Sequence, residues 1–235
     1  MLKKILVGTA VVTVIGLVAY SWFSNAEEAA APLSTEPSPA KIIVLEQGQN
    51  FRPVVPALPT QTGDKIEVLE IFWYGCPHCY EFEPKLNQWL QNKPADVEVR
   101  RLPGVFRKSW VAGAKAFYTG EALGVLDKMH PALFNAIHAE QQPFADDDAW
   151  AKFFSGLGVS EEAFKNTWDS VEVAAKVRDA MAQGQAYGIE GVPAIVVAGK
   201  YQTSSGMEGI GDYDTLLKVV NALVDKVREE AKRQP

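Results

Sequence analysis

Both cysteines of this 235-residue chain stand in one short stretch, Cys76-Pro77-His78-Cys79. Two thiols separated by two residues can close a disulfide or cycle as a redox couple, and the chain has no other thiol to compete. Proline is preferred at the first position of a helix, because its missing N–H would have had no intrahelical partner. Cys76 would then lie at a helix N-terminus, where unpaired N–H groups and the positive end of the macrodipole stabilise an anion. Its pKa is expected well below the free-thiol value of about 8.5, and each unit of depression favours the ionised form by about 1.4 kcal/mol. A stabilised thiolate leaves the disulfide less stable by comparison, so the pair becomes a stronger oxidant. His78 adds a donor or a positive charge in the same turn. Cys79 is expected to be the more buried, resolving thiol.

Other readings of the pair are weaker. A static disulfide here would close a four-residue loop and gain little from it. A zinc site would need two further ligands, and the remaining histidines, His130 and His138, lie eight positions apart without the usual spacing. They read as surface or boundary residues.

The elements around the motif must place it. Ile66 to Tyr74 is a nine-residue run rich in β-branched and aromatic side chains, too continuously apolar for a strand with one wet face. It is expected to be a central strand, ended by Gly75. After Cys76-Pro77 the apolar positions Cys79, Phe82, Leu86, Trp89 and Leu90 recur at three and four, the period of a helix face. Val97 to about Leu102 forms a second strand, which completes a βαβ unit with its strands parallel. Ser109–Leu123, Val125–Ala139, Asp147–Ser155, Ser160–Trp168 and Val171–Tyr187 each read as helical. Two strands come next, Ala194–Ala198 and Tyr201–Thr203, joined by a tight turn at Gly199-Lys200, and Asp212 can cap a last helix. The layout is an α/β domain interrupted by a helical block.

Two acids and one proline near the motif carry further expectations. Glu70 lies in mid-strand, six residues before Cys76, and shares a face with Ile66, Val68, Phe72 and Tyr74. A carboxylate there is expected to be buried and held partly neutral by desolvation. Arg100 or Arg101 is its counter-charge, the register leaving the choice open. Glu83 either assists Glu70 or is a solvated helix charge. Pro193, read alone, is an ordinary proline opening a strand.

Beyond these residues, the stretch from Glu70 through Cys76-Pro77-His78-Cys79 to Glu83 resembles the active-site strand and helix of the DsbA family of periplasmic thiol:disulfide oxidoreductases. Gly191-Val192-Pro193-Ala194, with Val197-Ala198-Gly199-Lys200-Tyr201 after it, is similar to that family's proline loop and next strand. The resemblance implies an α/β thioredoxin fold with an inserted helical domain: residues 48–108 and 186–235 form the thioredoxin-like part and 109–185 the insertion. It also implies a cis Val192–Pro193 bond packed against Cys76, a Val192 backbone that pairs with extended substrate, and Glu70 as proton relay for Cys79. Tyr74, His78, Gly191 and Val192 would form a groove for unfolded chains. The expected activity is donation of the Cys76–Cys79 disulfide to exported, folding proteins through a mixed disulfide at Cys76, with no other cofactor and no metal. A DsbB-like membrane quinone reductase would restore the disulfide. Rival readings are a reductase or isomerase of the same fold, and a chaperone-like binding module whose disulfide is inert. No dimerisation segment is visible in the sequence, so a monomer is expected.

The N-terminus agrees with export. Met1-Leu2-Lys3-Lys4 precedes nineteen uncharged residues, Ile5 to Phe23, a pattern that directs the remainder of the chain out of the cytoplasm. As a helix this run would span roughly 28 Å, so residues 1–26 are either a cleaved signal peptide, cut after Ser24-Asn25-Ala26, or a retained inner-membrane anchor at 5–23. Residues 27–47 are a tether rich in proline and alanine. The net charge of -6 gives no electrostatic case for nucleic acid.

Overall fold

Strand β2, Ile66–Phe72, is the centre about which the rest is arranged, as its uninterrupted apolar character requires. The computed structural model describes residues 43–233; the export segment at 5–23 and the tether up to residue 42 lie outside them. β2 pairs in parallel with β3 (Val97–Pro103), in a register running from Ile66 opposite Val97 to Phe72 opposite Pro103. On its other side it pairs antiparallel with β4 (Ala194–Val197), which continues to β5 (Tyr201–Ser204) and the two-residue edge strand β1 (Arg52–Pro53). The sheet order is β1-β5-β4-β2-β3.

Helix α1 (Pro77–Asn92) crosses over between β2 and β3. A single 3₁₀ turn at Lys108–Trp110 opens the helical block, where the sequence predicted α-helix from Ser109. The block continues as α2 (Val111–Ala122), α3 (Leu126–His138), α4 (Asp147–Gly156), α5 (Glu161–Trp168) and α6 (Val171–Ala186). Asp146, Ser160 and Ser170 accept from the N–H groups of Ala149, Ala163 and Val173, so three of these helices begin at side-chain caps. After β5, Asp212 accepts from Thr215 N–H at the start of α7 (Tyr213–Arg233). Among the described residues no helix is long and apolar enough to cross a membrane.

Two apolar clusters result. Phe82 and Leu86 of α1 meet Val68, Ile195 and the α7 residues Leu216 and Val220 in one. Leu69, Ile71 and Phe72 meet Phe117, Leu133 and Phe134 of the helical block in the other.

The β4–β5 turn falls one residue earlier than expected. Lys200 N–H donates to Val197 carbonyl, and the central residues Ala198 and Gly199 have φ of 52° and 65°. Two successive positive φ values match the right-handed twist of a two-residue hairpin. Gly199 is also the only residue that fits: a Cβ there would lie 2.0 Å from the carbonyl oxygen of Leu58, in the N-terminal arm that crosses over it.

Candidate active site

Where β2 ends, Cys76 N–H donates to Trp73 carbonyl at 2.9 Å and closes a tight turn. The Trp73 ring folds back over Gly75, where a Cβ would come within 2.3 Å of it, and stacks on Trp110 at 4.4 Å and an interplanar angle of 3°. Cys76 comes next as the N-cap of α1 with extended backbone, and Pro77 is the first helical residue, as its ring geometry favours. Cys76 is 8% exposed and Cys79 not at all; both are free thiols in this structure.

The two thiols have opposite electrostatics. Cys76 is lowered to about 6, chiefly by the hydrogen bond it receives from the Cys79 thiol; the N–H groups of Cys79 and His78 and the charge of His78 add to this against the opposing effect of burial. Cys79 is pushed above the ordinary thiol range, first by burial, then by donating to Cys76 and by the Cys76 charge. Helix N–H groups and His78 act in the expected direction, but the partner thiol contributes more than either. The His78 ring turns toward solvent, with Nδ1 3.3 Å from Glu81 Oε2 and 3.4 Å from the Tyr213 hydroxyl.

The loop before β4 comes up beside the motif. The Val192–Pro193 bond is cis, and the Cys76 thiol donates to the Val192 carbonyl at 3.4 Å. Pro193 is buried, Val192 half-buried and Gly191 exposed. A cleft lies on each side of this loop. One, of about 500 Å³, is bounded by His78, Pro193, Ser204, Ile210 and Tyr213. The other, of about 490 Å³, is bounded by Trp73, Cys76, Phe106, Trp110 and Ile189. Tyr74, expected in the groove, lines neither. It is 1% exposed, its ring packed on Phe72 and Phe134 and its hydroxyl 2.7 Å from His130 Nδ1. The α3 helix lies across it and closes it off from solvent.

Behind the thiols runs a buried chain of charges. Glu70 is fully buried and accepts from Arg101 Nε at 3.0 Å, because the parallel register sets Glu70 opposite Arg101. Arg100 pairs instead with Glu67, at 3.2 Å. Arg101 also reaches Glu83 Oε2 at 3.4 Å, and Glu83 Oε1 lies 3.0 Å from His130 Nε2. Burial, then the Glu83 charge, raises Glu70 to about 8 against the pull of Arg101. The Glu70 charge in turn raises Cys79. Burial opposes the Glu83 charge too, but hydrogen bonds from His130 and Asn87 and the charge of Arg101 hold its carboxyl below the usual range. Burial lowers His130 by more than Glu83 raises it. A neutral His130 that donates from Nε2 to the Glu83 carboxylate and accepts at Nδ1 from the Tyr74 O–H satisfies every partner.

The family model of a DSBA-like thioredoxin domain matches residues 101–220. The chain is 36% identical over 216 residues to the thiol:disulfide interchange protein DsbA of Pseudomonas syringae pv. tomato, an alignment covering 92% of this chain and 94% of that one. This chain belongs to the DsbA family. The DsbA of Pseudomonas aeruginosa is 39% identical over 186 residues, covering 79% and 87% of the two chains. Its crystal structure superposes with a TM-score of 0.74 at 38% identity, covering 79% of this chain and 96% of that one. The oxidoreductase DsbA from Xylella fastidiosa gives 0.73 at 32% identity, covering 80% and 99%. The fold is the DsbA-like thioredoxin fold, with the helical block inserted between β3 and β4, and the protein is a thiol:disulfide oxidoreductase whose redox pair is Cys76 and Cys79.

Besides Tyr74, one residue of this DsbA site was misread from sequence. His130 is not at the surface: it is 4% exposed with both ring nitrogens partnered. The choice left open for Glu83 falls against a solvated helix charge, since it is 7% exposed and joined to Arg101 and His130. One signal in the sequence pointed to a buried His130. His130 falls four residues before Phe134 and next to Met129, within the apolar stripe by which α3 packs. His138 is half-buried, a boundary residue as expected.

Proposed function

We propose that this DsbA-family enzyme is an oxidase of exported proteins, working in the periplasm on clients that emerge unfolded. A client thiolate attacks Cys76 Sγ in the oxidised pair; the Cys76–Cys79 bond breaks and Cys79 leaves with the bonding electrons. Cys79 holds its proton far more tightly than an ordinary thiol, so it is protonated as it leaves, and Glu70, able to hold a proton near neutral pH, supplies it. A second client thiolate then attacks the client sulfur of the mixed disulfide. Cys76 departs as a thiolate, a good leaving group with its pKa near 6. The client has lost two electrons and the pair has gained them. A DsbB-like membrane quinone reductase takes these electrons and restores the disulfide.

Each remaining residue has a part in this reading. Pro77 starts α1 so that the helix N–H groups face Cys76, and His78 adds its charge to them. Val192, on its loop between the two clefts, offers backbone groups to an extended client, with Gly191 leaving the approach open and Pro193 packing beneath. Residues 1–26 direct export, and the run at 5–23 is either removed or kept as a tether.

The observation that carries the oxidase reading is the asymmetry of the two thiols: one stabilised as thiolate at a helix start, the other buried and held as thiol. Its test is the redox equilibrium of the pair against glutathione, with turnover of a reduced, unfolded client. An oxidase holds its disulfide less tightly than glutathione does and loses all turnover in Cys76→Ala. A potential as reducing as that of a cytosolic thioredoxin overturns the reading.

A further inference from the structure

The turn that delivers Cys76 to the helix start is held from outside the thioredoxin-like part. His130, Phe134 and His138 fall four residues apart along α3 and so share one side of that helix. All three touch Tyr74. His130 Nδ1 meets the hydroxyl at 2.7 Å, the Phe134 ring lies 4.9 Å from the Tyr74 ring, and His138 Nε2 meets the Tyr74 carbonyl at 2.7 Å. Tip, ring and backbone of one residue are thus gripped by a single helix.

The last contact differs in kind from the other two. A carbonyl can only accept, so His138 donates its Nε2–H and fixes the plane of the Tyr74–Gly75 peptide. Glycine leaves that peptide freer to rotate than any other residue would. Trp73, Tyr74, Gly75 and Cys76 are the four residues of the turn closed by Cys76 N–H on Trp73 carbonyl. The His138 ring is itself fixed, stacked on Tyr80 of α1 at 4.9 Å and an interplanar angle of 13°. His138 therefore ties α3 to both the turn and the helix between which Cys76 sits.

We infer that the inserted helical block sets the reactivity of Cys76 through this grip on Tyr74, with the N–H of His138 as the positioning group. The inference rests on the Cys76–Cys79 pair being the redox centre, and it holds for either direction of electron flow. Losing one hydrogen bond that orients the turn is expected to raise the Cys76 pKa by about half a unit, a threefold shift of the redox equilibrium toward the disulfide.

The test compares His138→Ala with His138→Gln in the whole chain, reading the Cys76 pKa by thiolate absorbance and the equilibrium with glutathione. A glutamine amide N–H occupies the place of histidine Nε2–H. Alanine should shift both readouts while glutamine keeps both at the values of the unsubstituted protein. If alanine changes neither, or if glutamine shifts as far as alanine, so that the hydrogen bond is not what matters, the inference is overturned. Should the alanine variant fail to fold, His138→Asn replaces it, its amide too short to reach the carbonyl, with the same two outcomes. An undepressed Cys76 pKa in the unsubstituted protein would instead count against the oxidase reading.

Discussion

The thiol of Cys76 donates to the carbonyl of Val192 at 3.4 Å, across 116 positions of sequence. This contact needs the thiol proton, since a carbonyl and a thiolate both carry lone pairs toward each other. Ionisation therefore breaks it. With its pKa near 6, Cys76 is mostly ionised at neutral pH. Titration of the reduced protein by thiolate absorbance should show a single step centred near pH 6, with Cys79 silent through the neutral range. Two steps in that range, or one at the ordinary thiol value, would contradict the site as described.

Stability should depend on pH with opposite signs for two groups. Cys76 falls from an ordinary 9 to about 6, so between those values the folded reduced protein binds fewer protons than the unfolded chain. Its contribution is complete above pH 9 and is lost as pH falls through 6. The oxidised protein has no thiol to ionise, so the Tm of the reduced form relative to the oxidised should rise across this window. Glu70 rises from 4.5 to about 8, so its contribution is complete below 4.5 and is lost as pH rises through 8. Glu70→Gln should flatten that decline, and a decline of undiminished slope would show that another group causes it.

Arg101 stands between two buried carboxylates. Removing one partner from a buried ion pair leaves the other charge uncompensated and costs about 3–5 kcal/mol. Arg101→Met should fall near the lower end, because the Arg101 side chain is itself 24% exposed. Glu70→Gln keeps an acceptor for Arg101 and replaces a carboxyl that is mostly protonated at neutral pH, so it should cost under about 1 kcal/mol there. It should nonetheless slow the reaction of the disulfide with glutathione by about 100-fold or more, through loss of the proton supplied to Cys79. Denaturant titration and stopped-flow kinetics read the two effects separately; an unaltered rate would remove Glu70 from the mechanism.

Gly75 allows Trp73 to fold over the turn. In Gly75→Ala the new Cβ would lie 2.3 Å from that ring, so the stack on Trp110 must open. Overpacking of this kind costs about 1–3 kcal/mol. The paired-tryptophan signal in near-ultraviolet circular dichroism should diminish, and the cleft bounded by Trp73 and Trp110 should bind peptide thiols more weakly. An unchanged spectrum would mean that the stack does not depend on the glycine.

What the sequence determined by itself was local. Cys76-Pro77-His78-Cys79 after a continuously apolar strand specifies a thiol at a helix start, because proline chemistry, helix N–H groups and a buried parallel strand all act within about ten residues. Helix limits in the inserted block were also read locally: Ser160–Trp168 and Val171–Tyr187 were expected, and α5 and α6 run Glu161–Trp168 and Val171–Ala186. What only the tertiary structure decided depends on contacts between distant segments. Adjacent arginines on a strand point to opposite faces, so the choice of Arg101 over Arg100 for Glu70 is fixed by the β2–β3 register and by nothing in either strand alone. His130 was expected at the surface or its boundary, Tyr74 in an open groove, and Glu83 was left undecided. They are buried because α3 folds back across α1 and the end of β2, where each finds its hydrogen-bond partner in another element.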